Sequence, residues 1–147
     1  MELKKNDIFT VKITDMSDDG SGIGKHQGFT WFIKDTVAGD TVEASVMKMK
    51  KSYGFAKLQK ILQPSPSRTE ARCATARRCG GCQLQEMDYK AQLQFKENKV
   101  YNNLCRIGGL EDFRNSPDQG TWTMEPIIGM ENPWRYRNKA QFPMGRS

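Results

Sequence analysis

The chain has 147 residues, with 23 Lys and Arg against 17 Asp and Glu for a net charge of +6, and a mean hydropathy of -0.72. That length and polarity exclude one large apolar core and suit two small units. No run of about 18 apolar residues is present to span a membrane, and no signal-peptide core follows Met1–Asp7. The expected compartment is therefore the cytoplasm, which keeps thiols reduced.

The first predicted strand covers Ile8–Thr14, where Phe9, Val11 and Ile13 alternate with polar residues at the period of a half-buried strand. Asp18-Asp19-Gly20-Ser21-Gly22 turns the chain. Alternation returns at Phe29, Trp31 and Ile33 after a tight turn at His26-Gln27-Gly28, and again at Val42, Ala44 and Val46 after Ala38-Gly39-Asp40. A further strand is predicted from about Tyr53 to Leu62. Short strands joined by Gly/Asp turns within roughly 60 residues predict a small OB-like barrel, which removes exposed sheet edges.

Charge is unevenly placed along this barrel. Between Ala44 and Thr69 stand Lys48, Lys50, Lys51, Lys57, Lys60 and Arg68, with no Asp or Glu. In the last strand Tyr53, Phe55, Lys57 and Gln59 share one face, and Gly54, Ala56, Leu58 and Lys60 the other. Rings that stack bases beside lysines that meet phosphate would make a single-stranded nucleic-acid surface. The plainer alternative has Phe55 filling the barrel and the lysines merely solvated.

Gln63-Pro64-Ser65-Pro66-Ser67 ends the barrel as a linker, because proline removes donors and holds the chain extended. Then Cys73, Cys79 and Cys82 fall within ten residues of one another, among Arg72, Arg77, Arg78, Gly80 and Gly81. A hydrophobe would find nothing to pack against there, so the sulfurs read as metal ligands, with a disulfide or inert thiols as the plainer alternatives. Glycine turns suit thiolate ligation because backbone amides can point at the sulfurs, and the arginines would offset the charge. His26, the only histidine, sits in a barrel turn, which leaves an all-cysteine zinc site as the alternative to an iron–sulfur cluster.

Downstream, Tyr89, Leu93, Lys96, Val100, Leu104 and Ile107 recur at helical spacing before Gly108-Gly109, predicting a helix over Glu86–Arg106 whose stripe packs into a core. Cys105 lies in it and reads as an ordinary buried residue. Two strands are expected near Met124–Ile128 and Arg135–Pro143. Gly145-Arg146-Ser147 completes no element, so the chain is expected to be a piece of something longer.

The pattern Cys73-x5-Cys79-Gly80-Gly81-Cys82-x-Leu84-Gln85 resembles the cluster motif of bacterial RNA uracil methyltransferases that modify carbon-5 of uridine in large-subunit ribosomal RNA. Gly39-Asp40-Thr41-Val42, Pro64-Ser65-Pro66-Ser67-Arg68 and Pro133-Trp134-Arg135-Tyr136-Arg137-Asn138-Lys139-Ala140-Gln141 extend the resemblance over nearly the whole chain. It implies a mixed β and α+β protein: a TRAM-type RNA-binding barrel over residues 1–63, a linker and cysteine loop over 64–83, and the start of a central domain over 84–147. Lys48, Lys50, Lys51, Tyr53, Phe55 and Lys57 would meet RNA. Cys73, Cys79 and Cys82 would hold a four-iron four-sulfur cluster, its fourth ligand beyond Ser147.

In that family a cysteine adds to carbon-6 of the uridine, S-adenosylmethionine gives its methyl to carbon-5 and a carboxylate removes the proton. The resemblance places those parts outside this chain, which by itself is expected to be inactive. The implied partner is ribosomal RNA, with no membrane contact and a monomeric state. A self-contained RNA-binding module with a zinc site that includes Cys105 stands as the alternative, and a small electron carrier is the remaining one.

Overall fold

The computed structural model describes residues 3–110, 122–139 and 145. Five strands close into a barrel: β1 (Ile8–Met16), β2 (Gly22–His26), β3 (Phe29–Ile33), β4 (Thr41–Met49) and β5 (Tyr53–Gln63), in the order β1-β2-β3-β5-β4. The inward residues of the alternating segments fill it. Phe9, Val11, Ile13, Trp31, Ile33, Val42, Ala44, Val46 and Ala56 form one buried cluster.

Strand β2 was not expected from sequence. Its inward positions are Gly22 and Gly24, so it lacks the apolar alternation that marks the other strands. A Cβ at Gly24 would come within 2.6 Å of the Lys12 carbonyl oxygen and of Val11 on β1, so the close approach of the two strands requires the missing side chain. Closure is made by β3 and β5, which run parallel with Thr30 opposite Tyr53 and Phe32 opposite Phe55. Gly54 makes this seam possible, since a Cβ there would lie 2.5 Å from the Trp31 ring.

At one end of the barrel the buried Asp40 carboxylate gathers three segments. It accepts hydrogen bonds from the N–H groups of Val37 (2.7 Å) and Ser65 (2.8 Å), and from Arg68 Nε (3.0 Å) and Nη2 (2.7 Å). The Ser65 hydroxyl donates to the Ala38 carbonyl. The proline-containing stretch is thereby bonded to the barrel end. Burial pushes the Asp40 carboxyl up, but the Arg68 and backbone hydrogen bonds outweigh it and hold the group below its ordinary value of 3.8.

Arg68 also begins the next layer. It is bridged to Met87, while Thr69 N–H donates to Glu86 O and Asp88 N–H to Ser67 O, so a two-stranded stem closes the loop that carries the cysteines. Met87 packs with Met16 and Val37 beneath Leu84, Ala91 and Phe95. Within the loop, one turn of helix, α1 (Ala76–Cys79), ends at Gly80 in a left-handed conformation (φ 68°).

Helix α2 (Tyr89–Arg106) starts where the Asp88 carboxylate accepts the Ala91 N–H. Its Ala91 and Phe95 reach the barrel-end cluster, but the expected core stripe fails further along. Val100, Leu104 and Ile107 are exposed, and no residue of the helix is fully buried. The strand expected at Met124–Ile128 is also absent: these residues form no ladder. Ile127 N–H instead donates to Glu97 and Met130 N–H to the Tyr89 hydroxyl. Side-chain acceptors on α2 replace a strand partner. Residues 135–139 are likewise irregular, and the rest of the second expected strand lies outside the described residues.

Removing the Asp40 charge should be costly, because Arg68 would keep a buried guanidinium with only Glu86 opposite it. Asp40→Asn is expected to lower unfolding free energy by about 3 kcal/mol in a urea titration at neutral pH. Since folding depresses the Asp40 pKa, its stabilisation is complete above about pH 4 and is lost as pH falls through the folded value. The titration repeated near pH 3 should therefore show a smaller gap between wild type and Asp40→Asn. An unchanged gap would assign the acid sensitivity elsewhere.

Candidate nucleic-acid face and cysteine loop

Because β4 and β5 are adjacent and antiparallel, their sequence-local lysines become one surface. Lys48 pairs with Phe55 across the ladder, Ser45 with Lys57, and the turn between the strands carries Lys50 and Lys51. All four lysines are exposed, as are Tyr53 and Phe55 at 37% and 39%. The alternative in which Phe55 fills the barrel is thereby excluded. Trp31 occupies the space behind Gly54, so the rings on either side of that glycine point outward.

The parallel seam adds a residue that sequence reasoning missed. Phe32 of β3 lies 5.6 Å from Tyr53 and 5.8 Å from Phe55, measured between ring centroids, and the latter two are 5.6 Å apart. Alternation alone marked Phe32 as facing opposite to Trp31 and Ile33. Nothing local showed that this outer face met the rings of β5.

The cysteine loop lies on the other side of the buried ion pair. Arg68 Nη1 reaches Glu86 at 3.2 Å, and Arg77 Nη2 reaches the same carboxylate at 2.7 Å, so the charge chain runs from the barrel end into the loop. Arg77 is thus engaged by Glu86. Arg137 bonds the Gly81 carbonyl at 2.7 Å and lies 3.8 Å from the Cys82 sulfur, while the Arg72 guanidinium sits 5.0 Å over the Trp134 ring. Residues 134–137 therefore return onto the loop from some 55 positions away.

Cys73, Cys79 and Cys82 are exposed and outside any disulfide. Gly80 supplies the positive φ that ends α1, and Gly81 supplies room: a Cβ there would stand 3.3 Å from Arg137 and 3.4 Å from the Cys79 sulfur. Thr75 hydrogen-bonds the Cys73 sulfur at 3.3 Å and holds that thiol below its ordinary value of 9.0. The donor set suits thiolate ligation, with a guanidinium beside one sulfur and a hydroxyl beside another. Among the described residues no three ligating groups are drawn together into a metal site. Cys105 sits 16 positions along α2 from Tyr89, about 24 Å by helical rise, whereas the loop stem meets the opposite end of that helix.

Residues 2–59 match the TRAM domain. The chain is 43% identical over 143 residues, 97% of its length, to proteins of Halalkalibacterium halodurans and Listeria monocytogenes, each named as an uncharacterized RNA methyltransferase. It spans about three-tenths of the length of these relatives, 29% in each case. Among solved structures, the tRNA (uracil-54, C5)-methyltransferase of Pyrococcus abyssi, in complex with S-adenosyl-L-homocysteine, is 28% identical with a TM-score of 0.44. The match covers 65% of this chain and 21% of that one. No helix among the described residues is long and apolar enough to cross a membrane.

The Thr75 contact makes the Cys73 thiol distinguishable from its neighbours. In metal-free protein Thr75→Val should return that thiol toward its ordinary pKa and slow its alkylation by iodoacetamide near neutral pH by a few-fold, since the thiolate is the nucleophile. Peptide mass spectrometry would read it, with Cys79 and Cys82 as internal references. Equal slowing at all three sites would indicate a general change in the loop instead.

Proposed function

We propose that the chain is the RNA-holding portion of an RNA uracil-5-methyltransferase, because residues 2–59 match the TRAM domain and nearly its whole length is 43% identical to proteins named as RNA methyltransferases. The structural observation that carries this reading is the group of exposed lysines, Lys48, Lys50, Lys51 and Lys57, on β4, β5 and the turn between them, set beside outward-facing rings. Lysines there neutralise phosphates whatever the base sequence, and displaced counterions make such binding salt-dependent. The barrel's work is to hold and orient the RNA strand.

The finer assignments rest on the resemblance of the cysteine motif. Large-subunit ribosomal RNA is the substrate, S-adenosylmethionine is the methyl donor, and both are handled in the cytoplasm. The methyl donor and the groups that act on the uracil belong to parts of the enzyme outside the described residues, so no residue here is assigned to catalysis. Cys73, Cys79 and Cys82 hold a four-iron four-sulfur cluster together with one further ligand. Methyl transfer needs no electron, and what the cluster supplies when bound is a rigid crosslink within the loop. Arg137, 3.8 Å from the Cys82 sulfur, would offset part of its charge, and Arg72 adds a positive charge next to Cys73 in the chain.

Two measurements test the reading. The chain should bind single-stranded RNA with an affinity that falls as salt rises, and the triple variant Lys50→Ala, Lys51→Ala, Lys57→Ala should flatten the log–log salt slope by about 2. Affinity indifferent to both salt and the lysines would remove the RNA assignment. Separately, anaerobic purification of the intact enzyme should yield iron and sulfide with visible absorption, both lost in Cys79→Ser. Stoichiometric zinc lost in Cys105→Ser would replace the cluster with an all-cysteine zinc site.

A further inference from the structure

The ring triad on the β3–β5 seam is more than a byproduct of barrel closure. The interior is already filled by nine buried residues, so Phe32, Tyr53 and Phe55 form a second aromatic group on the outside of the same strands. Tyr53 stands nearly edge-on to both partners, at 80° to Phe32 and 83° to Phe55, whereas Phe32 and Phe55 are inclined by only 37°. Two rings thus make a shallow sloping floor and the third makes a wall. Tyr53 and Phe55 keep more than a third of their surface open to solvent, and Phe32 lies half-buried between them.

Charge frames this floor. Lys48 is opposite Phe55 on β4, Lys57 is two residues further along the outer face of β5, and Lys25 on β2 lies opposite Thr30, itself opposite Tyr53. Lys34 follows β3 directly, with Asp35 beside it as the acidic residue next in the chain. A flat apolar surface with an edge-on wall and cations on its flanks matches one chemistry, an unpaired nucleobase whose neighbouring phosphates reach the lysines. A protein partner would gain from the rings but would have to be acidic to meet the rim.

We propose that Phe32, Tyr53 and Phe55 are a base-stacking subsite that takes an unpaired base of single-stranded RNA, with Phe32 a binding residue and Lys48 and Lys57 holding the adjoining phosphates. The proposal rests on the RNA-binding reading above and deepens it: the lysines bind a strand, and the triad requires that the strand carry exposed bases. Every base has a π-face, so the subsite favours unpaired over duplex RNA without selecting a base identity.

The test uses the whole chain and fluorescence anisotropy with two probes of about ten nucleotides, within the site sizes of such barrels. One is an oligouridylate and the other an abasic ribose-phosphate strand of equal length. Wild type should bind the oligouridylate about ten-fold more tightly than the abasic strand. Phe32→Leu, which keeps an apolar side chain, should erase most of that preference while leaving the salt slope unchanged. Lys48→Ala with Lys57→Ala should weaken both probes and flatten the slope.

A structural role for the rings would not move the base preference while sparing the salt slope. If Phe32→Leu fails to fold, as judged by circular dichroism, Phe55→Leu at the more exposed position takes its place with the same expectation. Salt-dependent binding that is equal for the two probes, or a preference that survives both ring variants, would overturn the subsite and leave the RNA reading standing. No binding of either probe at low salt would overturn both and point to an acidic protein as the partner of the rings.

Discussion

A buried carboxylate at the end of a small barrel is the constraint on which the rest of this structure depends. Asp40 is fully removed from solvent, and its two oxygens are shared among two backbone N–H groups and Arg68. An ion pair so placed contributes little net stability, because desolvation of both partners offsets most of their attraction. What it does instead is select one arrangement. Val37 before β4, Ser65 after β5, and the stem of the cysteine loop must all be in place for the charge to be satisfied. A misdocked loop would strand a buried charge at several kcal/mol.

That selection has a spatial consequence. The two regions with evident chemistry lie on different parts of the chain and neither positions itself. The lysine and ring surface is fixed by the β3–β5 seam, which requires Gly54 so that Trp31 can close against the strand. The cysteine loop is fixed by the Arg68–Met87 bridge and by the Arg68–Glu86–Arg77 chain of charges. Asp40 joins the two because Arg68 belongs to both the barrel-end ion pair and the loop stem.

The loop is held unevenly. Its base is closed by backbone hydrogen bonds and apolar packing at Met87, whereas its tip carries exposed thiols, one turn of helix and arginines brought in from residues 72 and 137. The base is held by the fold, and the tip has polar chemistry with little burial. Val100 and Leu104 on α2, with Ile107 just past its end, are apolar side chains that lack cover among the described residues.

Much of the barrel was legible locally. Phe9, Val11, Ile13, Trp31, Ile33, Val42, Ala44 and Val46 announce strands by period-two alternation, and every one of them is buried where that pattern puts it. The clustered cysteines, the acid-free lysine run, the shared face of Tyr53 and Phe55, and the helix ending at Arg106 follow from spacing alone, because each is a property of adjacent residues. Sequence did not reveal β2, whose inward positions are glycines chosen by the proximity of β1 and so carry no apolar signal. It overstated the strand at Met124–Ile128, since a strand exists only if a partner ladder lies beside it and α2 lies there instead. It also could not place Phe32 against Tyr53 and Phe55, or Asp40 against Arg68, 28 residues away. Alternation and charge are written in neighbouring residues. Which strands meet, and which charge is buried with which, depends on closure over long separations, and only the tertiary structure decides that.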